Sequence, residues 1–204
     1  MARAVIVAGG QISRGTHFGA RADDFVICAD SGYHSAVEMG LSPDILVGDM
    51  DSFRGELPSE IQVIRAKSEK DETDTHLAVI EALSRGCDEI LILGGAGGRF
   101  DHTMANIWLL KLILDSGATG WIIDGNNRIT VINKKTTLKK DAGYISVLPI
   151  FGGAKGVCLQ GFKYPLSGAN LASGAVVGIS NEIVSSDAAI DIRDGYLLVI
   201  RSMD

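Results

Sequence analysis

Five short runs in the first two-thirds of the chain are strand-like and largely apolar without alternation. They are AVIVAG (residues 4–9), FVICAD (25–30), DILVGD (44–49), IQVIRA (61–66) and EILILGG (89–95). A strand that is apolar at successive positions buries both its faces, which only a parallel sheet covered by helices on both sides allows. The covering helices are visible in the spacing of GYHSAVEMG (32–40), DTHLAVIEALSRG (74–86) and DHTMANIWLLKLILDSG (101–117). The last is expected to start with Asp101 as its N-cap. It is apolar nearly all round after Ile107, which predicts burial on more than one side. GWIIDG (120–125) and RITVIN (128–133) read as two further strands around a GNN turn. The pattern therefore predicts an α/β, parallel-sheet domain with its ligand beyond the carboxyl ends of the strands. Gly9-Gly10, Asp30-Ser31-Gly32, Gly48-Asp49 and Gly94-Gly95 all fall there.

The pattern changes near residue 135. GYISVLPI, AKGVCLQGFKY, AVVGISNEIV, AAIDIRDG and YLLVIRS are short runs divided by glycine turns, with no amphipathic helix among them. They predict antiparallel β structure, a small all-β sandwich. The expected division is an α/β domain over 1–135 and the β domain over 136–204, with the boundary in NKKTTLKK (133–140).

Charge and cysteine content narrow the function. The net charge is −6, and the single basic cluster, 133–140, reads as a solvated connector, so no nucleic-acid partner is expected. Cys28, Cys87 and Cys158 lie far apart and form neither zinc spacing nor a disulfide framework. Cys28 closes a strand pattern and reads as a small core residue. No stretch reaches ~18 uninterrupted apolar residues, and MARAVIVAGG lacks the long apolar run of a signal peptide. The expectation is a cytoplasmic protein with no membrane partner. His17, His34 and His76 are scattered and suggest no role.

Two stretches concentrate acid: GDMDS (48–52) and KDETDT (70–75). Asp49 and Asp51 are two apart, so on extended backbone they point to one side and leave room for a cation. The alternative is a turn in which Asp and Ser bond their own backbone. Asp71 and Asp74 are three apart, which would put them on one helical face. The alternative is helix capping by Asp71 or Thr73, with acids favoured in a first turn. If both stretches converge, crowded carboxylates call for a hard divalent cation, Mg²⁺, with nucleotide phosphates completing its shell.

LGGAGGRFDHTMAN (93–106) joins a strand to a helix through glycines. Glycine loops let backbone amides approach a phosphate at a helix N-terminus, and Arg99 supplies a full positive charge. The stretch is neither the Gly-Lys-Ser/Thr loop nor GxGxxG, since Phe100 stands where the third glycine belongs. A tight strand–helix turn beside a surface arginine is the other reading, and His102 then serves as an ordinary polar group.

The order of the pieces is more specific than any one of them. ADSG (29–32), PDILVGDMDS (43–52), KDETDT (70–75), GGRFDH (97–102), GFKYPL (161–166) and GISNEI (178–183) together resemble thiamine pyrophosphokinases. That resemblance implies an α/β nucleotide-binding domain joined to a β-sandwich, in a homodimer with active sites at the subunit interface. It implies transfer of the pyrophosphoryl group of ATP to thiamine with Mg²⁺. Asp49, Asp51 and Asp74 would be the metal-side acids, with Asp71 beside them, and Asp71 or Asp74 would take the hydroxyl proton. Asp30, Ser31, Gly32, Gly97, Gly98, Arg99, Asp101 and His102 would lie at ATP. Ser180 and Asn181 would meet thiamine. The tryptophan that some members place against thiamine near the C-terminus is missing: the two here are Trp108 and Trp121, and the late aromatic is Tyr196. The physical reading fits this chemistry, because phosphoryl-type transfer needs positioning and charge neutralisation more than a covalent nucleophile. A different Mg²⁺-dependent phosphotransferase and a non-catalytic nucleotide-binding module are the alternatives.

Overall fold

A computed structural model describes residues 2–50, 61–65 and 71–203. The chain divides into two compact units, Met1–Gly125 and Asn126–Asp204.

The first unit contains β1 (Arg3–Val7), β2 (Phe25–Ala29), α1 (Gly32–Glu38), β3 (Ile45–Gly48), β4 (Gln62–Arg65), α2 (Asp74–Ser84), β5 (Glu89–Leu93), α3 (Phe100–Asp115) and β6 (Thr119–Asp124). The strands run in the order β4-β3-β2-β1-β5-β6, and every pairing among them is parallel. The central strands are sealed: Ile6, Ile27, Leu46, Ile90, Ile92 and Leu93 are fully buried. Each such side chain contributes roughly 1.5–3 kcal/mol of burial, so the sheet is a firm frame and its loops carry the variable chemistry. The strand order reverses between β1 and β5, which is where an open parallel sheet leaves a crevice.

α3 packs against both β6 and α2, in keeping with the expected burial on more than one side, but its burial is incomplete. Ile107, Leu109, Leu110 and Ile113 are buried, but Trp108 is 50% exposed. The helix is covered by β6 and α2, and the part of its apolar sequence around Trp108 faces outward. Asp101 is not the N-cap either. Arg99 occupies that position in an extended conformation with no side-chain cap, and the helix begins at Phe100.

The second unit contains β7 (Asn127–Ile132), β8 (Thr136–Leu138), β9 (Tyr144–Gln160), β10 (Leu166–Leu171), β11 (Asn181–Glu182), β12 (Ala188–Asp191) and β13 (Asp194–Ser202). Its order is β7-β13-β9-β12-β8, with β10 and β11 also on β9, and the pairings are antiparallel. β9 bends at Phe151-Gly152-Gly153, where φ turns positive. Ile145 and Val147 before the bend, and Val157 and Leu159 after it, enter one core with Ile190 and Leu197.

AVVGISNEIV was expected to be strand, yet only Asn181–Glu182 is. Ser180 adopts φ +54, which breaks extended backbone. Ahead of β11, Val147 N donates to Gly178 O at 2.8 Å, which ties that part of the segment to β9. Val176, Val177 and Ile179 are left exposed.

Candidate active site

The loops after β1, β2 and β5 and the starts of α2 and α3 enclose a cavity of about 550 Å³ in the first unit. Its floor is backbone. A Cβ on Gly10 would fall 2.2 Å from Gly94 O, so the turns after β1 and β5 approach this closely only with glycine at position 10. Gly32 has a similar constraint from another side: a Cβ there would meet Val7 O at 2.0 Å. Gly32 therefore packs α1 onto β1 and is not part of the cavity lining.

Of the sequence-selected residues, Asp30, Ser31, Asp74, Gly97, Gly98, Arg99 and His102 share this cavity. Asp49, Asp71 and Asp101 are not among its lining residues. Asp51 lies outside the described residues. Among the described residues no group of three His, Cys, Asp or Glu side chains converges as a metal site.

Asp74 owes its place to a cap. Thr73 is extended at φ −73, ψ 159, and its Oγ1 accepts a hydrogen bond from His76 N at 3.1 Å. That fixes Asp74 as the first helical residue, where the macrodipole favours a carboxylate. Asp71 precedes the cap, so the expected common helical face for Asp71 and Asp74 does not form. Glu72, Thr73 and Thr75 reach the cavity wall with Asp74.

Asp30 follows β2 in the left-handed region, φ +49. Its N–H donates to Val47 O at 2.9 Å, which holds the turn after β2 against β3. A non-glycine residue there costs roughly 1–3 kcal/mol. Its Oδ1 is buried without a hydrogen-bond partner among the described residues.

At the mouth, Arg99 grips Asp101 through two contacts, Nη2–Oδ2 at 2.5 Å and Nε–Oδ1 at 3.2 Å. Both side chains are exposed. The guanidinium holds the Asp101 carboxyl down at about 2 and is itself raised by the same bond.

Asn106 was not singled out from sequence. It is 5% exposed, lines the cavity, and its Nδ2 donates to Gly95 O at 2.8 Å. It fastens the glycine loop to α3. The available signal was one amide on the buried face of an apolar helix just after that loop.

In the second unit, Asn181 is 3% exposed and fully engaged. Its Oδ1 accepts from Tyr164 N (3.0 Å) and Glu182 N (2.9 Å), and its Nδ2 donates to Tyr164 O (2.7 Å). Ser180 N donates to Ser146 Oγ at 3.1 Å. Tyr164 is 61% exposed beside them. Tyr196 meets Phe151 edge to face at 5.8 Å.

Sheet order and cavity define an α/β nucleotide-fold class of protein, with its pocket over the carboxyl ends of parallel strands and an antiparallel β unit following in the chain. Residues 20–120 match the family model for the thiamin pyrophosphokinase catalytic domain. Residues 130–197 match that for the thiamin pyrophosphokinase vitamin B1 binding domain. The chain belongs to the thiamine pyrophosphokinase family. It is 33% identical over 186 residues to the thiamine pyrophosphokinase of Bacillus subtilis (strain 168), covering 87% of each. The crystal structure of a Bacillus subtilis thiamine pyrophosphokinase superposes with TM-score 0.90 at 31% identity, covering 99% of both chains. That of the Geobacillus thermodenitrificans thiamin pyrophosphokinase gives 0.85 at 30%, covering 100% of this chain and 98% of the other.

Proposed function

We propose that this chain transfers the pyrophosphoryl group of ATP to the hydroxyl of thiamine, giving thiamine diphosphate and AMP. The observation that carries this reading is the match of both parts of the chain to the catalytic and vitamin B1 binding models of one family. The glycine-floored, acid-bearing cavity supports it from the physical side.

In this reading the first unit binds ATP. The backbone of Gly97-Gly98 and the Arg99 guanidinium receive the polyphosphate at the start of α3. To do so, Arg99 shares or exchanges its Asp101 partner. Asp30, Ser31 and His102 complete the nucleotide site, and Gly32 shapes it by packing.

The reaction needs a charge-neutralising cation, and the donors suit Mg²⁺. It binds through one or two carboxylates plus phosphate oxygens and water, so a cage of three protein acids is not required. Asp74, on the cavity wall, with Asp49 and Asp51 would hold it. When bound, Mg²⁺ offsets charge on the phosphates. Asp74 or Asp71 accepts the thiamine hydroxyl proton, and the oxygen attacks the β-phosphorus as AMP leaves. Asp74 has the better support, since Asp71 lies before the helix cap.

The second unit binds thiamine, with Ser180 as a contact and Asn181 as the residue that holds the Tyr164 and Ser180 loops together. The exposed Val176, Val177, Ile179 and Val184 around them support a homodimer with its interface there. We assign the enzyme to the cytoplasm, with three unpaired cysteines consistent with a reducing compartment.

Nucleotide products separate this function from its rivals. With ATP, thiamine and Mg²⁺, AMP supports pyrophosphoryl transfer. ADP indicates an ordinary kinase, and no turnover indicates a binding module.

A further inference from the structure

Residues 8–24 join β1 to β2 without helix or strand. A connection this long inside a compact unit is commonly a functional loop. Its return to β2 is fixed by Arg3, whose Nη2 donates to Gly19 O at 2.9 Å and whose guanidinium pairs with Asp24. Ile12 and Phe18 pack against the core beneath it. Its tip is tied to the end of β6. Ser13 Oγ donates to Asp124 Oδ1 at 2.6 Å, and Gly125 N donates to Thr16 Oγ1 at 2.9 Å. Thr16 Oγ1 in turn donates to Ser13 O at 2.8 Å, which closes the tip on itself.

The tie stands beside the cavity. Gly9, Gly10 and Gln11, at the start of the same loop, line it. A Cβ on Gly94 would fall 2.8 Å from Gly10 O and 3.1 Å from Ile12 Cγ1, so the first turn of the loop rests on the glycine loop after β5. A Cβ on Gly97 would lie 3.8 Å from both Gln11 O and Asp124 Oδ2. The β1–β2 loop, the glycine loop and the Asp124 carboxylate therefore meet at Gly97. Ser13 and Asp124 are not among the lining residues, so neither touches a ligand in the cavity. Their bond is exposed. An exposed hydrogen bond contributes little to global stability, yet this one fixes where one wall of the cavity stands against another. A hydroxyl held by a carboxylate is a short, charge-assisted bond, suited to a fixed spacing.

We propose that Asp124 is a positioning residue for the nucleotide: through Ser13 it holds the Gly9–Gln11 wall against the Gly94–Gly98 loop. The proposal rests on the reading of the cavity as the ATP site.

The test measures KM for Mg·ATP, KM for thiamine, kcat and the melting temperature of the full chain. The variants are Ser13→Ala, Asp124→Ala, the two combined, and Asp124→Asn. Each single alanine should raise KM for Mg·ATP about three- to tenfold, the equivalent of one net hydrogen bond. KM for thiamine should stay unchanged, and melting should move by no more than about 2 °C. The combined variant should be no worse than the more affected single one, because both remove the same bond. Asp124→Asn keeps an acceptor for Ser13 Oγ and should stay within about twofold of the wild type.

A lower melting temperature with unchanged KM for Mg·ATP overturns the proposal, since a merely structural tie behaves that way. So does a combined effect equal to the product of the singles, or an Asp124→Asn variant as impaired as Asp124→Ala, which would make the charge and not the tie responsible. If the wild type releases no AMP, the functional reading fails separately, and the same variants are compared by calorimetric binding of ATP. Weaker binding in both alanine variants then supports the positioning role. Equal binding, or a wild type that binds no ATP, overturns it.

Discussion

Replacing Asn106 by alanine should damage the protein in two measurable ways. Asn106 Nδ2 donates to Gly95 O at 2.8 Å, and Asn106 is 5% exposed. Alanine leaves that buried carbonyl without its donor, at about 1–3 kcal/mol for an unsatisfied group. For a chain of this length each kcal/mol moves the melting temperature by about 2–4 °C, so a loss near 2 kcal/mol predicts a drop of about 4–8 °C. The second effect falls on the nucleotide. Gly94–Gly98 are held to α3 through this amide, and a loosened loop presents its N–H groups to phosphate with less preorganisation. KM for Mg·ATP should rise about tenfold, the equivalent of ~1.4 kcal/mol, with kcat less affected. Asn106→Asp sharpens the test, because it sets a second acceptor against the Gly95 carbonyl and should be worse at neutral pH. Thermal melts and nucleotide titrations on the same preparations give both numbers. An alanine variant that melts with the wild type and keeps its KM would refute the positioning role.

Asp51→Asn should lower the rate by about 10²–10³ while leaving the fold intact, as expected for a charge aimed at phosphate chemistry. A variant that melts early yet turns over normally would make Asp51 a turn residue. Arg99→Leu should return the Asp101 carboxyl from about 2 to the ordinary carboxylate range, which carboxyl NMR titration reads directly. Because the folded value is depressed, the contribution of the pair is present above the ordinary carboxylate value. It is lost only as pH falls toward about 2, so the pair should not titrate between pH 5 and 8 in the wild type. Light scattering at micromolar concentration should find a homodimer, and Val177→Lys should weaken it; an active monomer would contradict the proposed interface.

The strands and helices of the first unit were legible because they satisfy one rule at a time. β1, β2, β3 and β5 are continuous apolar runs closed by glycine or aspartate, and α2 has a cap that the Thr73 hydroxyl satisfies. Contacts between distant segments were not legible. Nothing in the sequence around Asp101 shows that Arg99 will take both carboxylate oxygens, which removes Asp101 from capping. The apolar run in α3 hides which side chains meet the sheet and α2 and which, like Trp108, stay half-exposed. Val176–Ile179 have strand composition, yet the left-handed Ser180 interrupts extended backbone ahead of β11 and they stay outside any strand. At the site, the glycine loop and the KDETDT stretch both reach the cavity, whereas Asp49 of GDMDS does not line it. Their convergence is a property of the sheet edge: Asp30 and Asp74 are 44 residues apart in sequence (74 − 30) but line one cavity.

The most direct test of the central claim follows the β-phosphorus. ATP labelled at its β- and γ-phosphates is given to the enzyme with thiamine and Mg²⁺ under single-turnover conditions, and the products are separated. Pyrophosphoryl transfer predicts that both labels move together into one thiamine-linked product, with unlabelled AMP released in equal amount. Retention of the β-label in ADP, with only the γ-label on thiamine, would contradict the account.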